Sequence, residues 1–493
     1  MVEKNSTSDA LLALIRDVII YVPSQLVPII VGFIGLSVYT RQFSPSEYGE
    51  YSLILTTVGI FGVLTYTWFN TANIRYYNSY KNNDKLDNFF STSFVGLFII
   101  LAIATLIYSI LNYCGLFHSN IQNYFFLTVG MIISNAIFEL INGIFRASRK
   151  AWVYSIAKCL TTVTSFILSI SLIFIFQWGI SALLISVVLT NIVFSASMIL
   201  IFKLYRYMHL NNFSLKLYKD FLSYGIPMIA MLLSSWIIIM SSRYIIEYFR
   251  GNSEVGIYTI AYQIADPLSL VAQLILTAAV PIFIETYEKH GKKSTVELIS
   301  KISRYYILFA IPAFVGIFCI PSQIMWITGS GYSEGYAVLP WVCFGGLMFG
   351  LCLFVNKGLE LTKNTRVFAL LVGMVAIVNI VLNFLLIPQY GYIGAGITNS
   401  ISYLVLFILS VIVSKRYLPW KIPIYTVIKA SLCAACMGLA LMIIKPYFDQ
   451  SIINLLLLIG IGSILYAVLL FATGEIKNEL DHFVNYVSGK FLQ

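Results

Sequence analysis

Four polar side chains, Asn135, Glu139, Asn142 and Arg146, interrupt an apolar stretch at spacings of four, three and four residues. Residues at these spacings lie on one face of an α-helix. A carboxylate and a guanidinium on one face can bind an ion, exchange a proton or pair with charges on neighbouring helices. The stripe is therefore a candidate pathway for a substrate or an ion. The alternative for Arg146 is that its side chain extends to the nearest polar surface.

Asp266 lies within a second apolar stretch and is followed by Pro267. Proline removes a backbone donor and permits a kink in a helix. A carboxylate in apolar surroundings needs a partner or a wet cavity. Two interpretations stay open: Asp266 is a proton or cation site, or it is a protonated side chain that makes a structural hydrogen bond.

Five further charged residues are candidates for a substrate or ion pathway. Lys357 and Glu360 are three residues apart, so they can neutralise each other on one helix face. Lys158 lies inside a predicted helix, and Arg16 and Arg243 fall near the ends of two others. Arginine suits phosphate because its planar fork donates two parallel hydrogen bonds. The alternative for each of these side chains is an anchor at a membrane surface.

The composition indicates where these side chains must be placed. Of 493 residues, 59% are hydrophobic and 11% are charged, against about 25% charged in soluble domains. Apolar runs recur that are long enough to cross a hydrocarbon core as helices. Sustained alternation of apolar and polar residues, the pattern of a membrane β-barrel, is absent. The chain is therefore predicted to be an all-α polytopic membrane protein.

The apolar runs predict about fourteen transmembrane helices. Their approximate spans are 14–39, 49–71, 89–112, 121–145, 152–176, 180–202, 219–243, 256–283, 303–323, 335–358, 366–387, 392–414, 424–446 and 452–473.

The distribution of basic residues tests this count. With the N-terminus inside and the spans alternating, 25 of the 31 basic residues fall in inner segments and four in outer segments. Cytoplasmic segments of membrane proteins carry such an excess of Lys and Arg. The asymmetry predicts fourteen spans with both termini in the cytoplasm. It also accounts for the net charge of +10 through anionic lipid, without nucleic acid as a partner.

The two halves of the chain resemble each other. SEYGEYSLI at 46–54 matches SEVGIYTI at 253–260, which aligns Gly49 with Gly256, and NGIFRASRKAWVYS after residue 141 matches NKGLELTKNTRVFA after residue 355. Matches in the same order at similar offsets predict two six-helix bundles in parallel orientation. The predicted domains are an N-terminal lobe at 1–210, a cytoplasmic linker at 211–220, a C-terminal lobe at 221–416, and two further helices with a cytoplasmic tail at 417–493.

Several stretches carry a resemblance to a known family: FSPSEYGEYSL, SSRYII followed by VGIYTIAYQIADPL, PIFIETYEKHGK, and NIVLNFLLIPQYGYIGAGITNSISY. Together they resemble the polysaccharide transport branch of the multidrug/oligosaccharidyl-lipid/polysaccharide (MOP) exporter superfamily, and most closely its Wzx-type flippases of O-antigen and capsule repeat units. The resemblance implies a MATE-like fold of two six-helix lobes and two further helices. Within SSRYII, Ser242 stands where the family pattern carries an acid, so no ion-coupling role is carried over to that position.

The resemblance also implies a function. A member of this family moves undecaprenyl-pyrophosphate-linked oligosaccharide from the cytoplasmic to the periplasmic leaflet of the bacterial inner membrane by alternating access. Its expected partners are that lipid-linked glycan, membrane lipids and polysaccharide polymerase machinery.

No ATP-binding motif is available to drive such transport. HGKKST at 290–295 lacks the earlier glycine and the Ser or Thr position of a Walker A motif. An inside-negative potential favours outward movement of an anion by about 2.3 kcal/mol per charge per 100 mV. We therefore expect no cofactor, and coupling to a proton or Na⁺ gradient through Asp266 stays open.

Other functions compete with this one. A small-molecule antiporter of the multidrug branch would need a compact cation site built from buried carboxylates, of which the sequence offers few. A lipid II flippase would share the same general features. A membrane enzyme such as an O-antigen polymerase or ligase would need a large outer loop, which the predicted spans do not leave. We therefore expect a transporter and no enzyme.

Asn379 and Asn383 lie four residues apart in the stretch that carries the resemblance best, just before Pro388, Gly394 and Gly396. We expect both amides to hydrogen-bond to a neighbouring helix, with a turn after Pro388. The two glycines are expected to let the next helix pack closely. This stretch is predicted to be scaffold and to lie away from the substrate.

Overall fold

The computed structural model of the chain describes residues 2–115 and 122–475, with side chains described from residue 22 onward. It forms two compact units, residues 1–256 with 372–384 and residues 257–371 with 385–493. The predicted lobe and linker boundaries come from the internal repeat and stay a prediction.

The first unit is a bundle of long helices. Helix α2, Pro45–Gly62, continues through a five-residue π-helical segment, Val63–Thr67, into α3, Trp68–Asn82. The other helices of this unit are α1 Val2–Gln42, α4 Leu86–Tyr113, α5 Phe125–Ala147, α6 Ala151–Phe174, α7 Ile180–Ile201 and α8 Leu215–Arg250. Helix α5 packs against α3 and α7, and α6 packs against α1 and α7.

The second unit is built on one very long helical run. Its helices are α9 Asn252–Ala265 (whose first five residues belong to the first unit), α10 Pro267–Cys319, α11 Pro321–Met325, α12 Leu339–Leu361, α13 Thr365–Ser414, α14 Ile424–Ile444 and α15 Ile452–Ala472. Helix α10 packs against α12 and α14, and α14 packs against α15. Residues 372–384 of α13 belong to the first unit.

Twelve helices among the described residues are long and apolar enough to cross a membrane. Two of them contain a glycine with non-helical backbone angles, Gly291 in α10 and Gly391 in α13. The continuous run of α9 and α10, Asn252–Cys319, holds two of the predicted spans, and α13 holds two more. The twelve candidate helices therefore account for the fourteen predicted segments. Large apolar side chains are exposed on the bundle, such as Leu106 and Ile201 at 62% and 71%. The chain is an all-α polytopic membrane protein, as predicted.

The two repeated glycines meet at a close helix crossing in the first unit. A Cβ atom on Gly49 would lie 2.0 Å from the backbone oxygen of Asn252, and one on Gly256 would lie 2.0 Å from the backbone oxygen of Pro45. Both positions therefore require glycine because no side chain fits between the two backbones. The crossing follows a capping box at the start of α2, where Ser44 and Glu47 hydrogen-bond to each other's backbone amides.

The two asparagines of α13 form a buried amide ladder, in which they hydrogen-bond to each other and, as predicted, to a neighbouring helix. Asn383 Nδ2 donates to Asn379 Oδ1 at 3.0 Å. The hydroxyls of Ser241 and Ser242 on α8 donate to the same two amides at 3.4 Å each. Both asparagine side chains are fully buried. Ser242, at the position where the resembled family carries an acid, therefore serves here as a structural hydrogen-bond donor.

The turn predicted after Pro388 occurs at Gly391. Its φ of 56° and ψ of −139° lie in a region that favours glycine. Three residues later, a Cβ on Gly394 would lie 2.6 Å from the carbonyl oxygen of Leu386. A Cβ on Gly396 would lie 2.4 Å from a methyl group of Val338. The predicted close packing of the helix after the turn is confirmed.

Candidate functional site: a polar cavity in the first unit

The first unit encloses a cavity of about 480 Å³ lined by α1, α2, α5, α6, α7 and the π-helical segment. Hydroxyl and amide side chains supply most of its polar lining, among them Tyr39, Tyr51, Thr162, Ser165 and Asn191. Such a surface offers neutral hydrogen-bond donors and acceptors, which match the hydroxyl groups of a sugar.

Glu139 and Lys158 are the charged residues that line this cavity. Lys158 Nζ on α6 donates to Glu139 Oε1 on α5 at 3.2 Å, and each side chain is about a third exposed, 34% for Lys158 and 30% for Glu139. The same ammonium lies 5.8 Å from the ring centre of Phe138. Each charge satisfies the other inside an otherwise uncharged cavity. Loss of either would leave a half-buried charge without its partner.

Tyr66 reaches the cavity from the π-helical segment. The wider turn leaves carbonyl groups without their usual partners, and Thr67 Oγ1 compensates by donating to the Gly62 oxygen at 2.9 Å. Glycine at position 62 leaves space for the Tyr66 side chain, because a Cβ there would lie 2.6 Å from the Tyr66 hydroxyl oxygen. Tyr66 and Glu139 line the same cavity. Sequence reasoning missed Tyr66, since no residue pattern in VLTYT predicts a π-turn.

Asn135 and Asn191 form the amide contact of the cavity. Asn191 Nδ2 on α7 donates to Asn135 Oδ1 on α5 at 2.6 Å. The prediction that the stripe on α5 faces the bundle interior is confirmed at this position. Asn191 was not predicted, although an amide beside Thr190 in an apolar span is a signal that the same rule for polar groups in membranes could have used.

Asn142 and Arg146 continue the stripe but do not line the cavity. Asn142 is fully buried, and both atoms of its amide lack a hydrogen-bond partner among the described residues. The Arg146 guanidinium lies 5.3 Å from the ring centre of Tyr154. The structure therefore divides the predicted stripe into a cavity-lining half and a half that packs within the bundle.

Asp266 lies in a separate cluster in the second unit. Ser269 Oγ donates to Asp266 Oδ1 at 2.7 Å. Tyr262 and Tyr403 lie near Asp266. The backbone stays helical at Asp266, where α10 begins with Pro267. The carboxyl group thus has a hydroxyl partner, and the choice between an ion site and a structural hydrogen bond stays open.

The remaining candidates have different surroundings. Lys357 Nζ and Glu360 Oε2 pair at 2.6 Å on α12, as their spacing predicted. Arg243 is 4% exposed, and its Nη1 donates to the Ile239 carbonyl oxygen at 3.0 Å. Arg243 is therefore buried in the first unit. The side chain of Arg16 lies outside the described residues. Among the ten candidates, the structure brings Asn135, Glu139 and Lys158 together in one cavity.

A family model described as "Polysaccharide biosynthesis protein" matches residues 14–287. The chain belongs to this family. The match runs from within α1 into α10 and includes every residue that lines the polar cavity.

Two curated relatives extend the similarity over more of the chain. "Lsg locus putative protein 1" of Haemophilus influenzae is 25% identical over 328 residues, which cover 64% of this chain and 77% of the relative. "Putative O-antigen transporter" of Shigella flexneri is 21% identical over 406 residues, which cover 76% of this chain and 91% of the relative.

Solved structures share the fold at low sequence identity. A lipid II flippase MurJ in an inward closed conformation has a TM-score of 0.79 and 16% identity, covering 94% of this chain and 100% of that chain. An inward-facing multidrug resistance MATE family transporter of the MOP superfamily has a TM-score of 0.66 and 17% identity, covering 80% and 94%. The predicted resemblance to a Wzx-type exporter of the MOP superfamily is confirmed. The chain is a membrane protein of polysaccharide biosynthesis with a transporter fold.

Proposed function

We propose that this protein is a flippase that moves undecaprenyl-pyrophosphate-linked oligosaccharide, an O-antigen or capsule repeat unit, from the cytoplasmic to the periplasmic leaflet. It acts by alternating access in the bacterial inner membrane, with both termini in the cytoplasm. The observation that carries the proposal is the cavity with its Glu139–Lys158 pair and hydroxyl-rich lining. The family and the relative named an O-antigen transporter support the substrate class.

The chemistry of the cavity suits one part of this substrate in particular. Neutral hydroxyls and amides exchange hydrogen bonds with sugar hydroxyls, and aromatic rings such as Tyr51 and Tyr66 offer faces on which sugars stack. Lys158 supplies a cation that a pyrophosphate would attract once Glu139 no longer holds it. Protonation of Glu139, or a cation bound to it, would release Lys158. A proton or Na⁺ gradient could drive transport in this way without ATP.

Deletion of the gene tests the substrate. We expect lipid-linked repeat units to accumulate facing the cytoplasm and surface glycan to be lost, with both effects reversed by the intact gene. Undiminished surface glycan in the deletion strain would contradict the proposal. If the intact gene instead sustained growth of cells depleted of their lipid II flippase, lipid II would replace the glycan as the substrate.

Two variants test the site. We expect Glu139→Ala to abolish most glycan export and Asp266→Ala to reduce it, with normal amounts of each protein in the membrane. Glu360→Ala, at the 42% exposed carboxylate of the pair on α12, is the matched control and should export normally. Normal surface glycan with both Glu139→Ala and Asp266→Ala would remove the site assignment while leaving the proposed function standing.

A further inference from the structure

A second group of charges lies at the C-terminal end of α15, away from the cavity. Glu475 follows α15 and is 8% exposed at its side chain. Lys429 Nζ on α14 pairs with its Oε2 at 3.1 Å, and Arg304 Nε on α10 pairs with its Oε1 at 3.0 Å. The Thr426 hydroxyl donates to the same Oε1 atom. One carboxylate thus receives donors from two different helices.

The backbone around Glu475 holds the carboxylate in this position. Gly474 has a φ of 70°, a left-handed conformation that favours glycine, and ends α15. The Glu475 amide then donates to the Leu470 carbonyl at 3.2 Å, the long bond of a Schellman motif. Arg304 also donates through its Nη2 to the Glu475 carbonyl. The turn therefore points the carboxylate back toward α10 and α14.

A contribution to stability does not by itself explain this cluster of charges. Two charges taken out of water lose solvation that their attraction only partly restores, so a buried ion pair adds little to stability. Burial opposes ionisation of Glu475, but the hydrogen bonds from Thr426, Lys429 and Arg304 outweigh it and hold the pKa of this carboxyl below its usual value. The three donors are therefore arranged for an anion.

The position of this charge cluster relative to the end of the membrane span indicates which anion it could bind. Glu475 lies three residues beyond Ala472, where the last candidate membrane span ends. Donors at that level reach the head-group layer of a bilayer, where lipid phosphates lie. Arginine and lysine with a hydroxyl are the donors that bind phosphate in proteins.

We propose that Arg304, Lys429 and Thr426 form a binding site for the phosphate of an anionic lipid, and that Glu475 occupies this site as an internal competitor. Removal of the carboxylate charge opens the site to the lipid, and the lipid in turn releases α15 from α10. The site is independent of the cavity, so it stands whichever glycan the protein moves.

Lipid binding to the full-length chain in detergent, measured by native mass spectrometry, tests the site. The probe is dioleoyl phosphatidylglycerol, with dioleoyl phosphatidylcholine as the neutral comparison. We expect Glu475→Gln to bind phosphatidylglycerol about tenfold more tightly than the unmodified chain does, the change that about 1.4 kcal/mol produces. Arg304→Gln added to Glu475→Gln should remove the gain. Binding of phosphatidylcholine should change in neither variant.

A matched variant controls for the altered net charge. Glu285 pairs with Lys289 at 2.7 Å on the exposed surface of α10, so Glu285→Gln changes the charge equally without opening a site. A gain with Glu285→Gln as large as that with Glu475→Gln would overturn the proposal. Tighter binding of phosphatidylglycerol that persists when Arg304→Gln is added to Glu475→Gln would also overturn it.

Two further measurements keep the proposal testable if Glu475→Gln does not fold. Glu475→Asp keeps the charge but shortens the side chain, so we expect an intermediate gain of about threefold; no gain would contradict the site. The second measurement compares the thermal stabilisation of Glu475→Asp by phosphatidylglycerol with that by inorganic phosphate at the same concentration. Equal stabilisation by the two would overturn the assignment to a lipid. A structural clasp alone predicts a lower unfolding temperature without tighter binding of phosphatidylglycerol, and that result would reject the proposal.

Discussion

Helices α5 and α12 are corresponding elements of the two repeats, yet they carry different electrostatics. The repeat aligns Asn142 with Asn356, and both side chains are at most 2% exposed. Continued along the same offset, it aligns Glu139 with Leu353 and Lys158 with Val372. The ion pair in the cavity therefore has apolar counterparts in the second repeat.

The second repeat places its own ion pair elsewhere. Lys357 and Glu360 pair within one turn of α12, and Glu360 is 42% exposed. Glu139 and Lys158 instead join two helices across a cavity. A pair within one helix adds little to packing and is screened by solvent. The difference is that the first unit holds an ion pair between two helices, whereas the aligned positions of α12 and α13 are apolar.

Substitution of the two glycines at the helix crossing should have the largest effect on stability. Gly49→Ala and Gly256→Ala each place a methyl group 2.0 Å from a backbone oxygen. We expect each variant to lose about 3 kcal/mol or more of stability, since backbone must move to make room. Thermal unfolding in detergent measures the loss. Gly460→Ala is the control because no atom lies within 4 Å of a Cβ at that position. Equal midpoints for all three variants would disprove the crossing.

Converting the first repeat to the second is the next test. Glu139→Leu and Lys158→Val each leave a half-buried charge unpaired, so we expect each to cost about 1–2 kcal/mol after allowance for solvent screening. The double variant should regain most of that stability, because it removes both charges, but should not export glycan. Export by the double variant at the unmodified rate would show that the pair has no part in transport.

The amide ladder of α13 should give a smaller effect. Asn383→Leu removes the donor to Asn379 and the acceptor for Ser242. We expect a cost of about 1 kcal/mol in unfolding free energy and normal export, since the ladder is scaffold. Ser234→Ala, whose hydroxyl bonds only within its own helix turn in the described contacts, is a control for loss of one hydroxyl. A severe export defect with normal stability would instead place the ladder in the transport pathway.

The pair of Lys357 and Glu360 within α12 should matter least. A double-mutant cycle with Lys357→Met and Glu360→Gln should give a coupling free energy below about 1 kcal/mol. The same cycle on Glu139 and Lys158 should give a larger value. Equal coupling free energies in the two cycles would mean that the two repeats do not differ in the way described above.

The sequence predicted the helical membrane class and the helix stretches well. Apolar run length, the breaks near Gly291 and Gly391 and the pairing of Lys357 with Glu360 follow from local rules that need no tertiary contact. The amide ladder was also predictable, since two buried amides on one helix face need partners from a neighbour. The polar stripe on α5 was recognised for the same reason.

The sequence did not show which residue is the partner of each polar group. Lys158 meets Glu139, and Asn191 meets Asn135, only because α6 and α7 pack beside α5. The same stripe continues to Asn142 and Arg146, yet these lie outside the cavity. No residue pattern predicted the π-turn that places Tyr66. Glu475 meets Arg304 only because α15 packs beside α10.

The sequence by itself therefore determined that this protein is a bundle of membrane helices, where those helices break, and which residues are too polar for lipid. These properties depend on the free energy of transferring each side chain from water to hydrocarbon, which is a property of the residue itself. Only the tertiary structure decided which polar residues share a cavity and which carboxylate on one helix neutralises which cation on another. Ion pairing depends on distances of a few ångströms between helices, and those distances are set by packing.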